Sequence, residues 1–347
     1  MVNIAICGAG RAGSFLHFNV YKKLKCNIVA LVEPNTELAK IKKNELSIKQ
    51  SFNNVEELIS SGANIDIVSV CSSLDSHYDI TKKSLEAGFN VLLEKPATKI
   101  DKELDELYEI ARKLKLKLAV VHNHKFYPSF VELMELTKSN DLGRIVHIDR
   151  VMSFDRNLVR MMEPEHWSHN LPGGRLFEAN THNIYLLHSL IGNFELLNIE
   201  PITKPNYFPH ASISGFTSLF RGKSCTVNLT VHMNCDSQVY GNHAATHFIV
   251  CYEKGAVYCD NREIKVLKTD LKTNIKHSVN KILENIQDKF TKTETIGKGS
   301  GHYWFIKRFI DSVIDKRLDS PVLHSEAIFT QSMNSEMGKK IDLIIKD

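Results

Sequence analysis

The sequence predicts an α/β protein, with a doubly wound parallel sheet followed by an α+β domain built on a large, mostly antiparallel open sheet. Three observations carry that prediction. Near-continuous Val/Ile/Leu runs alternate with amphipathic helical stretches from Val2 to Asn123, the pattern of parallel strands covered on both faces. The glycine cluster Gly8-Ala9-Gly10-Arg11-Ala12-Gly13 directly follows the first of those runs. Beyond His122 the pattern changes to strand-like runs with turn signals and few long helices, which reads as an antiparallel sheet. The expected domains are residues 1–123 and 124–347, with closing helices that can pack back on the first.

In order, VNIAICG reads as a buried strand, followed by a helix through Lys23 and by the strand NIVALVE. Asn35 is placed to cap the helix TELAKIKKN. VEELISSG is a short helix, IDIVSVC a strand, and SHYDITKKSLEAG a helix that Gly88 stops. FNVLLEK, the helix DKELDELYEIARKLK and the strand LKLAVVHN complete the first domain. In the second, helices at Pro128–Thr137 and Phe177–Leu190 bracket the strand RIVHIDRVMSF. Further strands are SISGFTSLF, CTVNLTVHMN, THFIVCYEKGAVYCD and EIKVL. Lys268–Ser300 is polar and reads as a loop or lid, and helices at HYWFIKRFIDSVIDK and HSEAIFTQSMNSEMGKK close the chain.

Composition narrows the classes of function. Hydrophobic residues make up 43% and charged residues 24% of 347, ordinary for a globular protein with material for about two domains. The net charge of +4 is small and the lysines are scattered, so no nucleic-acid partner is expected. No apolar run reaches the roughly 20 residues that span a bilayer, and MVNIAICGAG lacks a signal-peptide layout, so a cytoplasmic protein with no membrane partner is expected. The seven cysteines form no CxxC pair and are expected to be reduced.

Two stretches carry chemistry. In the glycine cluster, Gly8 supplies a tight turn, Gly10 lets a pyrophosphate approach the backbone, and Gly13 lets the helix pack against the strand, the signature of a Rossmann dinucleotide site. Glu33 ends the second strand twenty residues later, where a carboxylate accepts from a ribose diol and repels a 2′-phosphate. NAD is therefore the expected cofactor, with NADP the alternative because Asn35 and Lys40 lie nearby. In GGRLFEANTHNIYLLHSLIG, Glu178, His182, Tyr185 and Ser189 share one stripe of a helical wheel. Such a stripe can face solvent, but its residue types suit a pocket.

The third stretch is VLLEKPATK, where Lys95 ends a parallel strand at the edge where ligands of such sheets bind. Pro96 restricts the backbone of Lys95 to extended geometry. Glu94 has two readings, a partner for a nearby base or an anchor for the turn.

Taken together, GAGRAG, HYDITKKSLEAGFNVLLEKPAT, VVHNHKFYPS, GRIVHI and PGG…E…H resemble the Gfo/Idh/MocA family of oxidoreductases over nearly the whole chain. The resemblance implies NAD(P)-dependent hydride transfer at a hydroxyl-bearing carbon of a sugar or polyol. It implies Lys95 as the catalytic lysine, His182 as the catalytic histidine and Glu178 where the family commonly has Asp. His77 matches a loop histidine, and Arg11, Ala12, Ser72, Glu94 and Lys95 join Gly8, Gly10, Gly13 and Glu33 in the implied cofactor site. Asn123 and, loosely, Lys125 fall in a segment that lies near substrate in many members. Two departures matter: Tyr185 stands where an aspartate is frequent, and SSLDS replaces a Pro-Asn-like dipeptide before His77.

Hydride transfer from an alcohol needs a base within hydrogen-bond reach of the leaving proton. An imidazole ordinarily titrates near neutrality, so His182 is the expected base, oriented by Glu178, with Lys95 stabilising the reacting oxygen; the reverse assignment is the alternative. The expected geometry has Lys95 facing the Glu178–His182 helix across the substrate. Trp167, Arg175 and Tyr185 are candidate substrate contacts, with Tyr240 and His243 weaker ones. His122, His124, His166, His169 and Glu178 have no firm metal spacing, so no metal is expected. A competing reading keeps the fold but makes the protein an NAD-dependent glycosidase or lyase acting by transient oxidation. Cover for the open sheet suggests a homodimer or homotetramer.

Overall fold

The computed structural model describes residues 1–155, 165–202, 213–235, 246–261, 263–268 and 301–346. Tyr240, His243 and nearly all of the Lys268–Ser300 stretch lie outside the described residues. Two compact units are present, one made of residues 1–123 with 300–332, the other of 124–299 with 333–347.

The first unit is a six-stranded parallel sheet. Its strands are β1 (Asn3–Cys7), β2 (Asn27–Val32), β3 (Gln50–Phe52), β4 (Ile67–Val70), β5 (Asn90–Leu93) and β6 (Leu118–Val120). They run in the order β3-β2-β1-β4-β5-β6, that of a doubly wound dinucleotide fold. β1, β4, β5 and β6 are almost wholly buried, as continuous aliphatic runs require. Helices α1 (Phe18–Lys23), α2 (Thr36–Glu45), α3 (Val55–Ser60), α4 (Leu74–Glu86) and α5 (Asp101–Leu114) connect them. Asn35 caps α2 as expected, its side-chain oxygen accepting from the Leu38 N–H at 3.0 Å. Gly88 takes φ +90° just past α4, a conformation that glycine adopts without a Cβ penalty. β3 escapes the sequence reading because QSF is too short and polar to show a pattern.

In the second unit, α6 (Pro128–Ser139) and α7 (Arg175–Ile191) accompany a seven-stranded sheet. The strands are β7 (Ile145–Asp155), β8 (Glu195–Ile202), β9 (Gly215–Arg221), β10 (Thr226–Cys235), β11 (His247–Tyr252), β12 (Gly255–Asp260) and β13 (Ile264–Lys268). Their order is β13-β12-β11-β7-β10-β9-β8, and all neighbouring pairs are antiparallel except β7 with β10. The sheet is thus mixed although mostly antiparallel. Alternating burial along β9 and β11 gives one packed face and one open one. β8 was unrecognised in the sequence because ELLNIEPI, with a proline and two glutamates, lacks that alternation.

The helices α8 (Gly301–Ile314) and α9 (His324–Lys346) end the chain. Residues 300–332 complete the first unit through specific contacts: Glu326 meets buried His122 at 2.9 Å, and Lys117 donates to the Leu318 carbonyl at 2.7 Å. Among the described residues no helix is long and apolar enough to cross a membrane.

Candidate functional site

The glycine loop of the first unit has the geometry of a phosphate cradle. Gly8 has φ +103°, and a Cβ there would sit 2.6 Å from the Cys71 carbonyl oxygen. At Gly13 a Cβ would fall 2.0 Å from the Gly8 carbonyl oxygen and 3.1 Å from an Ile6 methyl, so only glycine lets this helix lie against β1. A Cβ on Gly10 would meet nothing within 4 Å, which leaves that stretch of backbone open to a ligand. The next turn, Arg11–His17, is π-helical and runs into α1. Arg11 is exposed and Ala12 half-buried beside it.

Glu33 does more than await a ribose. One carboxylate oxygen accepts the Ala9 N–H at 2.9 Å and the other the Asn35 N–H at 3.0 Å, which ties the glycine loop to the end of β2. Each oxygen keeps a lone pair for a further donor, so the residues present fit an adenosine ribose there.

At the end of β5 the Lys95–Pro96 peptide is cis. His77 braces this turn: Nδ1 lies 2.9 Å from the Pro96 carbonyl oxygen and Nε2 3.1 Å from that of Ser72. Burial pulls the His77 pKa down, against the pull of the Pro96 and Ser72 carbonyls. Ser72 also accepts at its hydroxyl from Ser76, at 2.8 Å. In this structure His77 and Ser72 hold the loops after β4 and β5 together.

Glu94 has both of the readings open in the sequence. Oε1 meets Nε2 of fully buried His17 at 2.8 Å, and Oε2 accepts the Lys95 N–H at 3.1 Å. His17 Nδ1 faces the Ser69 hydroxyl at 2.8 Å, and Tyr21 donates to the same hydroxyl at 3.0 Å. His302 comes within 3.8 Å of Glu94, and its Nδ1 lies 3.2 Å from the side-chain amide of buried Asn123. Burial opposes charge on His17, but Cys71 and Glu94 outweigh it and raise its pKa to about 10. For Glu94, burial is overcome by the hydrogen bond and charge of His17, with His302 and Lys95 adding to them, and its pKa falls to about 2. Burial lowers that of His302 to about 4. Donor atoms of His17, Glu94 and His302 lie within 4.8 Å of one another, a metal-like spacing, but the proton held by His17 competes for that position.

The second unit gathers the other candidates on α7. Gly173 and Gly174 have φ +74° and +76°, and the ring of Phe177 fills the place of a Cβ on Gly173. Gly192 stops the helix. From Arg175 to Leu187 only Glu178 escapes full burial, so the polar stripe does not face solvent. His182 Nδ1 lies 2.6 Å from the hydroxyl of fully buried Tyr185, which also accepts the His124 N–H at 3.1 Å. The rings of His124 and His182 stack 3.8 Å apart. A phenol at the position where an aspartate was expected can donate to a bare Nδ1 or accept from Nδ1–H, so His182 Nε2 can stand with or without its proton. Sequence reasoning placed Glu178 as the group that orients His182; the structure gives Tyr185 that contact.

Of the remaining substrate candidates, Trp167 is exposed, whereas buried Arg175 donates to Ser168 and meets His166, closing the HWSHNLPGGR loop on itself. The sequence gave no spacing that links His17 or His302 to Glu94, because 77 residues separate His17 from Glu94. Its one signal was a histidine inside the apolar run SFLHFNVY.

The sheet order and glycine cradle define a dinucleotide-binding enzyme fold. Residues 2–122 match the family model described as "Oxidoreductase family, NAD-binding Rossmann fold", and through this unit the chain belongs to the Gfo/Idh/MocA oxidoreductase family. An uncharacterized oxidoreductase of Schizosaccharomyces pombe is 29% identical over 195 residues, 55% of this chain and 52% of that one. The D-glucoside 3-dehydrogenase of Escherichia coli is 28% identical over 145 residues, 42% of this chain and 41% of its own. The chain thus spans about half the length of the curated relatives it matches. Among solved structures, the WlbA dehydrogenase from Bordetella pertussis in complex with NADH and UDP-GlcNAcA superposes with a TM-score of 0.77, at 13% identity, over 98% of this chain and 96% of that one.

Proposed function

We propose that the protein is an NAD-dependent dehydrogenase or reductase that moves a hydride between nicotinamide and a hydroxyl-bearing carbon of a sugar, polyol or sugar derivative. The glycine cradle with Glu33 tied to its loop is the observation that carries the reading. Dehydrogenases of a glucoside, an inositol and a nucleotide sugar among the similar proteins support the substrate class. The nicotinamide ring, when bound, supplies the hydride acceptor. Everything else falls to the chain: Glu33 takes the ribose hydroxyls, the Gly10 backbone the pyrophosphate, and the cis turn braced by His77 presents Lys95.

In this reading His182 Nε2 receives the hydroxyl proton, with Tyr185 adjusting at Nδ1, and Lys95 stabilises negative charge on the oxygen. NADP, a homo-oligomeric state and a cytoplasmic location belong to the same proposal. The test is to incubate the purified protein with NAD or NADP and a panel of polyols, sugars and nucleotide sugars, following absorbance of the reduced cofactor. Reduction of NAD by one class, lost by several orders of magnitude in Lys95→Ala with cofactor affinity nearly unchanged, is the expected result. Preserved turnover in Lys95→Ala refutes the role given to that lysine. Glycoside cleavage with no net change in NAD would instead favour the transient-oxidation reading.

A further inference from the structure

Arg150 carries a positive charge into the second unit without a described acid to meet it. It is 3% exposed, on the packed face of β7. Nε donates to Asn183 Oδ1 at 2.9 Å, and the guanidinium lies 4.2 Å from the centroid of the Phe248 ring. Among the described residues these are its side-chain partners, and both are neutral. The ionisable groups that act on it are Cys259 and Tyr185, a thiol and a phenol. Burial pushes the Cys259 thiol up to about 12, so it holds its proton at neutral pH. Asp260 lies close by, but its carboxylate accepts from the Tyr258 hydroxyl at 3.0 Å and the Glu263 N–H at 2.8 Å. Burial lowers the Arg150 pKa to about 10, which leaves it charged.

A buried cation without a counter-charge is costly, and arginine does not escape that cost by losing its proton. The same arginine lines a cleft of about 230 Å³ together with His124, Tyr127, Ser129, Phe248 and Asn261. That is below the roughly 300–1,000 Å³ of pockets for drug-sized ligands. The occupant is therefore small, and the sign of the charge says what it is. We propose that Arg150 and this cleft form a binding subsite for one small monovalent anion, a halide or a one-carbon carboxylate. A water molecule fills such a space but leaves the charge uncompensated. The inference rests on unit two alone and is independent of the reaction proposed above. It has a consequence for that reaction, because His124 lines the cleft and stacks on His182.

Two measurements test the subsite. Wild-type crystals grown in bromide should give an anomalous peak within hydrogen-bond reach of the Arg150 guanidinium. In solution, bromide exchanged for gluconate at constant ionic strength should raise the unfolding midpoint saturably; at tenfold above Kd the folded state gains about elevenfold. Arg150→Gln should abolish that saturable rise, and Arg150→Lys, which lacks the planar fork, should weaken it. An empty cleft in the anomalous map, or a side-chain carboxylate found against Arg150, overturns the proposal, as does an equal bromide response in Arg150→Gln. Should Arg150→Gln fail to fold, the wild-type map decides alone.

Discussion

Replacing Glu94 by Gln isolates the charge of the buried pair, because the amide oxygen still accepts from His17 and from the Lys95 N–H. The depression of Glu94 from its ordinary 4.5 to about 2 corresponds, at 1.36 kcal/mol per unit, to about 3 kcal/mol. The rise of His17 from 6.5 to about 10 converts to about 5 kcal/mol. The smaller figure is the better guide, since His17 also responds to Cys71. Breaking a buried pair typically costs 3–5 kcal/mol, in accord with it. For a unit of roughly 150 residues, about 3 kcal/mol lowers the unfolding midpoint by about 6–12 °C.

The loss has a pH signature. Stabilisation from Glu94 is complete above 4.5 and is lost as pH falls toward about 2. That from His17 is complete below 6.5 and is lost as pH rises toward about 10. Scanning calorimetry of wild type and Glu94→Gln should therefore show the largest gap between about pH 5 and 6.5, closing as the pH approaches 10. A gap under about 1 kcal/mol at pH 6, the value of an exposed pair, or one unchanged up to pH 10, refutes the argument.

Gly13→Ala places a Cβ 2.0 Å from the Gly8 carbonyl; backbone must move, at about 1–3 kcal/mol or more, and equilibrium dialysis should show NAD affinity lost with it. Tyr185→Phe orphans the buried His124 N–H and should cost about 1–3 kcal/mol in chemical denaturation. Because it also removes the partner of His182 Nδ1, the pH profile of turnover should move; an unmoved profile would remove Tyr185 from the proton path.

The first unit was largely legible because its strands are doubly buried and its glycines stand at fixed offsets. Hydrophobic continuity marks such strands, and φ +103° at Gly8 or the collision at Gly13 leaves no other residue type. The exception, β3, is an edge strand of three half-exposed residues with nothing to bury. In the second unit alternation revealed the strands but not their directions, so the parallel pairing of β7 with β10 could not be read. The site followed the same division. Lys95, Glu178 and His182 lie in recognisable local patterns, whereas His17, His302 and Arg150 acquire meaning only from partners distant in sequence. The wheel of α7 grouped Glu178, His182 and Tyr185 correctly, but which of them touches His182 is set by side-chain reach.

The return of residues 300–332 to the first unit has a consequence for biosynthesis. The Rossmann sheet leaves the ribosome first, yet buried His122 lacks Glu326, and Glu94 lacks His302, until nearly the whole chain has been made. The earliest unit to be synthesised is thus among the last to be completed. Through most of translation the nascent chain holds a nucleotide fold with part of its ionic core still missing.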